Sequence, residues 1–201
     1  MAYSDFSLSQ VETDFDLILQ ERVEIFKDIH PVTPSDLLRD VLDENIPLAL
    51  EIDTEKARSE LIIAPVLVEL RKQCDRQISL FSGIDFSVDK AKGLVGRCDF
   101  MISRSPKQLE ITAPVAALVE AKNDKIKSGI AQCIAEMVAA QLFNERHQNP
   151  IDQIYGIITT GSNWKFLRLI GHQVEIEASE HFIGDLEALF GILLTMIQSV
   201  Q

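Results

Sequence analysis

The sequence predicts an α/β protein built on a sheet of mixed strand directions, because strand and helix patterns alternate along most of the chain. Six strand candidates fall into two groups of three, with the bounds 79–88, 94–104, 114–123, 151–161, 164–171 and 172–178. A helical pattern separates the two groups, and the apolar run after it indicates a strand paired in parallel across a crossover helix. The chain has 201 residues, of which 46% are hydrophobic, so it can fill one sizeable core.

Residues 1–53 are predicted to form an acidic, helical N-terminal extension that packs on a core domain formed by residues 54–201. Short apolar clusters in the extension alternate with Asp, Glu and Pro, a pattern typical of one or two surface helices. The amphipathic pattern of residues 182–200 predicts a C-terminal helix. Both terminal segments could supply apolar surface for a homodimer.

The first core helix is predicted over residues 54–73. Thr54 can cap its N-terminus, and good helix formers follow. Pro65 lies inside the segment and lacks the N–H that would bond the carbonyl of Leu61. The helix is therefore predicted to bend near this point.

The second core helix is predicted over residues 127–145, where apolar residues recur at helical spacing. At about 100° per residue, Lys125, Gln132 and Glu136 fall within one narrow strip. An almost wholly buried helix thus keeps a single polar strip.

Charge is unevenly distributed along the chain. The formal net charge is −12, which argues against indiscriminate nucleic-acid binding, and residues 1–60 hold 15 acidic and 5 basic side chains. Residues 90–127 form a basic segment with 8 basic and 4 acidic side chains. Five of its residues could line a DNA-binding phosphate groove or could merely solubilise turns: Lys90, Lys92, Arg97, Lys125 and Lys127.

Composition also bears on location and cofactors. The N-terminus carries acids where a signal peptide needs bases, and no apolar run approaches the roughly 18 residues that span a bilayer. We therefore expect a cytoplasmic protein with no membrane contact. The three Cys and four His residues show no metal-binding spacing, so reduced thiols and solvated imidazoles are expected rather than a zinc site.

The strongest chemical signal is the stretch VAALVEAKND at residues 115–124. Alternate side chains of a strand share a face, so Glu120 and Lys122 point the same way and Ala121 points opposite. Asp99 lies on the preceding strand candidate, and the connection between consecutive strands can bring it beside them. Alone, Glu-x-Lys is a weak signal that more often marks a structural salt bridge.

Two carboxylates beside an amine suit a hard divalent cation and a charged transition state. Mg²⁺ or Mn²⁺ takes oxygen ligands, so Asp99, Glu120 and the carbonyl of Ala121 would be a sufficient protein share of its shell. Lys122 would then orient the attacking water or help to neutralise phosphate oxygens.

Three more residues are candidates for supporting roles. Glu60 on the first core helix could bind a water of the metal shell; a solvated surface carboxylate, or Glu69 in its place, is the alternative. Gln132 could position the nucleophile or contact the phosphate backbone. Glu136, one turn later, is either another polar partner or a surface carboxylate paired with a base such as Lys125.

An Asp on one strand followed by Glu-x-Lys on the next resembles the signature of the PD-(D/E)XK nuclease superfamily. Asp99 matches the first position, and the Glu120-Ala121-Lys122 triplet matches the second. Gln132 is similar to the glutamine that many members carry on the following helix, and Glu60 to the glutamate of their first core helix. The resemblance covers about residues 54–170. One departure is Cys98, which stands where the family pattern has Pro before the Asp.

This resemblance implies a restriction-endonuclease-like αβββαβ core, in which helices flank a mixed central sheet, and it is nearest to uncharacterised bacterial members of the superfamily. It implies a Mg²⁺- or Mn²⁺-dependent endonuclease that hydrolyses DNA phosphodiester bonds. The acidic N-terminal segment and the lack of an evident DNA-reading module in the sequence favour an alternative. In that alternative the fold is a catalytically weak or inactive module for binding or assembly.

Overall fold

The computed structural model describes residues 1–199 and has an α/β architecture, as the sequence predicts. Eight strands form one mixed sheet: β1 (Ile18–Val23), β2 (Ser79–Asp85), β3 (Arg97–Ser103), β4 (Val115–Ala121), β5 (Ile154–Thr159), β6 (Asn163–Ile170), β7 (Gln173–Glu177) and β8 (His181–Phe182). The strand order is β1-β7-β6-β5-β4-β3-β2, and β8 pairs with β6 outside this path. The pairs β1–β7 and β4–β5 are parallel, and the other pairs are antiparallel.

Helices cover both faces of this sheet. They are α1 (Leu8–Phe15), α2 (Asp36–Ile52), α3 (Glu55–Arg58), α4 (Ala64–Gln73), α5 (Ile130–Arg146) and α6 (Leu186–Ser199), with short 3₁₀ turns at Tyr3–Asp5 and Ile126–Gly129. On one face α2, α4 and α6 bury residues such as Leu42, Leu67 and Phe190. On the other face α1 and α5 bury residues such as Val11 and Ile134. The central strands β4 and β5 are therefore buried along their whole length, which accounts for their continuous apolar sequences.

The predicted crossover is confirmed. β4 and β5 run parallel, with Glu120 paired to Ile158, and α5 connects them over one face of the sheet. β2, β3 and β4 form the predicted antiparallel meander. This arrangement places the beginning of β3, the C-terminal end of β4 and the start of α5 near one another.

The first core helix is continuous but irregular. α3 passes into a π-helical turn at Ser59–Ile63, after which α4 begins. Pro65 cannot donate to the carbonyl of Leu61, and the side-chain amide of Asn45 on α2 donates to that oxygen at 2.9 Å. The irregularity predicted from Pro65 therefore takes the form of a π-helical turn whose freed carbonyl is satisfied by a neighbouring helix. π-helical turns are rare and frequently occur at functional sites.

The N-terminal segment differs from the helical extension that its composition predicts. Besides α1 and α2 it contributes β1, which joins the main sheet by parallel pairing with β7. Most side chains of β1 are exposed because it is an edge strand. Its sequence, ILQERV, therefore lacks a clear buried face, and the strand is defined mainly by main-chain pairing with a distant segment.

The last helix also begins later than its sequence pattern predicts. Residues 181–182 form the short strand β8, and α6 starts at Leu186, so the start of the predicted helix at Phe182 is wrong. The prediction for Val200 lies outside the described residues. Within residues 1–199, none of the helices is both long and apolar enough to cross a membrane.

Candidate active site at the ends of strands β3 and β4

The two predicted strand carboxylates lie on neighbouring strands. Regular pairing of β3 with β4 ends at Phe100 and Val119, so Asp99 and Glu120 are the next residues of their strands. Oδ2 of Asp99 accepts a hydrogen bond from the backbone N–H of Ala121 at 2.8 Å. The Asp99 carboxylate is therefore held directly against the Glu-Ala-Lys triplet, as the sequence predicts.

A small cavity of about 250 Å³ opens beside Asp99. Its other lining residues come from α3, the π-helical turn, β2 and the end of β4: Glu55, Lys56, Ser59, Glu60, Ser82, Gly83 and Ala121. Glu60 is paired with Lys56 at 2.8 Å, and 61% of its side chain is exposed. The cavity thus collects three carboxylates and one ammonium group.

Glu69, the alternative to Glu60, forms structural hydrogen bonds between two helices. It is buried and accepts hydrogen bonds from the backbone N–H and hydroxyl of Ser35, at 3.0 and 2.9 Å. Burial would raise the pKa of Glu69, but the hydrogen bonds from Ser35, Gln73 and Lys72 together lower it. Because Ser35 caps α2, Glu69 fastens that helix to α4, and Glu60 is the glutamate that shares a cavity with Asp99.

Glu120 is buried behind the end of β4, with only 2% of its surface exposed. Its Oε1 accepts a short hydrogen bond from Nζ of Lys122, and its Oε2 has no donor among residues 1–199. Burial first, and the charge of Asp99 second, raise the pKa of Glu120. A carboxylate oxygen without a donor is costly in the interior, so this atom is a natural ligand for a cation.

A chain of polar side chains continues from Lys122 to helix α5. Oε1 of Gln132 accepts from Nζ of Lys122 at 3.5 Å, and Nε2 of Gln132 donates to Oε1 of Glu136 at 3.2 Å. Burial would lower the pKa of Lys122, but the charge and hydrogen bond of Glu120 raise it overall, so Lys122 remains an ammonium group. The polar strip predicted on α5 therefore meets the Glu-Ala-Lys triplet.

Glu136 is fully buried, unlike the surface carboxylate considered from the sequence. Its Oε1 accepts a hydrogen bond from the side-chain amide of Gln132, and its Oε2 lacks a donor within the described part of the chain. Burial, followed by the charge of Glu120, raises the pKa of Glu136 well above its usual value. A third carboxyl group therefore lies close to the predicted pair.

Gly129 brings the loop before α5 against this cluster. A Cβ atom at this position would lie 3.0 Å from Cε of Lys122, 3.4 Å from Cγ of Glu120 and 2.9 Å from Cγ2 of Ile158. The absence of a side chain therefore allows the close approach that confines Lys122 between Glu120 and α5.

The oxygen donors of the site are of the type that a hard divalent cation binds. No group of three or more His, Cys, Asp or Glu side chains within residues 1–199 is arranged to hold a metal ion. Mg²⁺ usually keeps several waters and needs only one or two protein carboxylates, so Asp99, Glu120 and Ala121 remain sufficient in kind. Burial also raises the pKa of Asp99, against the opposing effects of Ala121 and Lys122. The buried Oε2 of Glu120 has no donor among residues 1–199, so the residues fit a hard cation in the kind of oxygen they offer.

The five basic residues considered for DNA binding do not share one groove. Lys125 and Lys127 border a cleft of about 800 Å³, whereas Lys92 borders a separate cavity of about 340 Å³. Lys90 lies in the turn before β3, and Arg97 is an exposed residue of β3 paired across the strands with Asp85. The sequence places these residues in one segment, but the fold distributes them.

Two site residues were not identified from the sequence. Glu55 borders the Asp99 cavity, and its charge reaches both Glu120 and Lys122, raising the pKa of each. Arg58 lies one turn later and borders the larger cleft. The only sequence signal for either residue is its proximity to Glu60 in the first core helix.

Fold and site together define an α/β protein with a cluster of carboxyl groups and one lysine where two adjacent strands stop pairing. A scan against protein-family models found no matching family. A search of curated proteins found no similar sequence.

Proposed function

We propose that this protein is a metal-dependent phosphodiesterase that hydrolyses DNA, with a site of the PD-(D/E)XK type. One observation carries the proposal: the carboxylate of Asp99 lies 2.8 Å from the backbone nitrogen of Ala121, between Glu120 and Lys122. Two strand carboxylates, a lysine and a glutamine thus meet at one end of a mixed sheet.

Asp99 and Glu120 would hold Mg²⁺ or Mn²⁺, with the carbonyl of Ala121 as a third protein ligand. When bound, such an ion activates water for attack and offsets negative charge on the phosphoryl group. Glu60 borders the same cavity and would bind water at its open side.

Lys122 would donate a hydrogen bond to the attacking water or to a phosphate oxygen. Its ammonium group is held in place by Glu120 and Gln132, so its position is set before substrate arrives. Positioned charges of this kind stabilise a transition state without reorganising during the reaction. Gln132 would act by holding Lys122.

The test is cleavage of linear, supercoiled and single-stranded DNA by the purified protein with Mn²⁺. Asp99→Asn keeps an acceptor for Ala121 but removes the charge, and Lys122→Met removes the ammonium at similar length. Each variant should lose at least about 100-fold in rate, the magnitude typical of removing one preorganised charge. Lys107→Ala, an exposed loop substitution, is the control and should cleave like the wild type. Activity that survives in Asp99→Asn would contradict the assignment.

The burial of Glu120 favours a second candidate function, in which the fold is a binding or assembly module with little turnover. Glu120 is 2% exposed and one of its oxygens is held by Lys122, so a substrate phosphate has little access to this carboxylate. This reading predicts Mn²⁺ binding in calorimetry without binding or cleavage of nucleic acid. Cleavage that depends on both Asp99 and Lys122 would exclude it.

A further inference from the structure

The cleft of about 800 Å³ and the Asp99 cavity are lined by neighbouring residues of the same two chain segments. Arg58 of the cleft directly precedes Ser59 of the Asp99 cavity, and Asn123 follows Ala121 by two residues. A ligand in this cleft could therefore extend towards the Asp99 cavity.

The two concave regions differ in charge. The Asp99 cavity has three carboxylates and one lysine, whereas the cleft has Arg58, Lys125 and Lys127 against Asp124 and Glu180. Lys125 and Lys127 are exposed, and neither forms an ion pair with another described residue. Free ammonium groups beside an acidic cavity are suited to an anion whose scissile group reaches the metal ligands.

Arg58 is a fixed cation in the wall of the cleft. Its side chain is 12% exposed, pairs with Asp53 at 3.0 Å and donates to the carbonyl of Thr160 at 3.1 Å. These contacts fix the guanidinium, while its Nε is buried without an acceptor among residues 1–199. Its contribution to a ligand in the cleft would therefore be a fixed positive charge in the wall rather than a free Nε–H donor.

The lining also indicates which part of a nucleic acid would be recognised. None of the described residues that border the cleft is aromatic, so the cleft offers no stacking platform for bases. Besides the carboxylates of Asp124 and Glu180, its polar groups are cations, hydroxyls and amides, which suit phosphate and sugar oxygens. Recognition at this cleft would therefore depend little on base sequence.

We propose that this cleft is the subsite for the phosphodiester backbone of the nucleic-acid substrate, with Lys125, Lys127 and Arg58 as its cations. The assignment rests on the proposed function, because it concerns the substrate of the same site. The assignment excludes Lys90 and Lys92 from the subsite, because neither borders the cleft. The cavity beside Lys92 is acidic, with Asp14, Asp16 and Glu145 in its lining.

The experiment measures binding separately from cleavage, by fluorescence anisotropy of labelled oligonucleotides of about 20 nucleotides in EDTA and in Ca²⁺. The double variant Lys125→Ala/Lys127→Ala is compared with Lys90→Ala/Lys92→Ala, which removes the same charge from a different surface. The first should lose about tenfold in affinity at low salt, and its log–log salt slope should flatten by about 1.4 on single strands. The second should stay within about twofold of the wild type.

A third variant should bind DNA more tightly than the wild type, whereas the cleft lysine variant binds more weakly. Asp124→Asn removes an acid from the cleft and should raise affinity for DNA by a few-fold. DNA and RNA oligonucleotides form separate arms, because both offer the same phosphodiester and only the 2′-hydroxyl distinguishes them. Similar affinity for unrelated base sequences is expected in either arm.

Three results would overturn the assignment: no nucleic-acid binding by the wild type, equal losses in the two double variants, or unchanged affinity in Lys125→Ala/Lys127→Ala. The cleavage assay reports the proposed function independently. Binding with the expected pattern but no cleavage would refute the phosphodiesterase and leave the backbone subsite supported. Cleavage by the wild type, together with unaltered binding in the cleft variants, would support the phosphodiesterase and refute the backbone subsite.

Discussion

Replacing Glu120 by glutamine should stabilise the protein at neutral and higher pH. The carboxyl is 2% exposed, and burial, with a further contribution from Asp99, raises its pKa from 4.5 to about 7. A folded-state pKa above the unfolded value means that the stability associated with neutral Glu120 is fully present below about pH 4.5. That stability is lost as pH rises through about 7.

The structure sets the size of this effect. Each tenfold change in the ionisation equilibrium costs about 1.4 kcal/mol, so ionised Glu120 costs the folded protein about 3 kcal/mol. Glutamine has nearly the same shape, cannot ionise and still offers an oxygen to Lys122. Glu120→Gln should therefore match the wild type near pH 4.5 and exceed its free energy of unfolding by about 3 kcal/mol near pH 8.

Urea unfolding in EDTA, followed by tryptophan fluorescence, measures this difference. Trp164 is the single tryptophan of the chain and is completely buried, so its emission reports unfolding of the core. Glu60→Gln is the matched control, because 61% of that side chain is exposed and solvent screens its charge. A Glu120→Gln variant that is no more stable than the wild type near pH 8, or that differs from it equally at both pH values, would refute a destabilising ionisation of Glu120.

Two further substitutions test the packing around the site. Gly129→Ala should cost about 1–3 kcal/mol and reduce Mn²⁺-dependent cleavage at least about tenfold, because the new Cβ would displace Lys122. Gly184→Ala, where an added Cβ would meet open space, should leave the free energy of unfolding and the cleavage rate unchanged. Equal behaviour of the two glycine variants would count against the packing argument. Asn45→Ala should lower the free energy of unfolding by about 0.5–1.5 kcal/mol, because it removes the hydrogen bond to the part-buried carbonyl of Leu61. Urea titration measures this loss, and an unchanged midpoint would contradict it.

The central part of the fold was predictable because its signals are local. β4 and β5 are covered on both faces and therefore carry unbroken apolar runs, and α5 shows its buried face at helical spacing. Consecutive antiparallel strands usually neighbour each other, so the adjacency of Asp99 and Glu120 follows from the meander. Strand identity and strand order near the site thus require no long-range information.

The features that the sequence does not predict depend on contacts between residues that are far apart in the chain. β1 is an edge strand with few buried side chains, and only its pairing with β7 defines it. Glu136 shares the polar strip with Gln132, but no local pattern distinguishes a surface carboxylate from one that is completely buried. Lys92 and Lys125 lie in the same basic segment, yet the fold assigns them to different cavities.

The bond between Asp99 and Ala121 connects the end of the sheet to the site. Regular pairing of β3 with β4 stops at Phe100 and Val119, and the N–H of Ala121 then donates to the side chain of Asp99. A side-chain carboxylate thus satisfies a main-chain donor at the point where the ladder ends and the cavity begins. Because one oxygen of Asp99 serves this structural bond, Asp99→Asn can preserve the strand ends while Asp99→Ala leaves Ala121 without its acceptor. A loss of cleavage shared by both variants, with stability lost only in the alanine variant, would assign the charge to chemistry and the hydrogen bond to the fold.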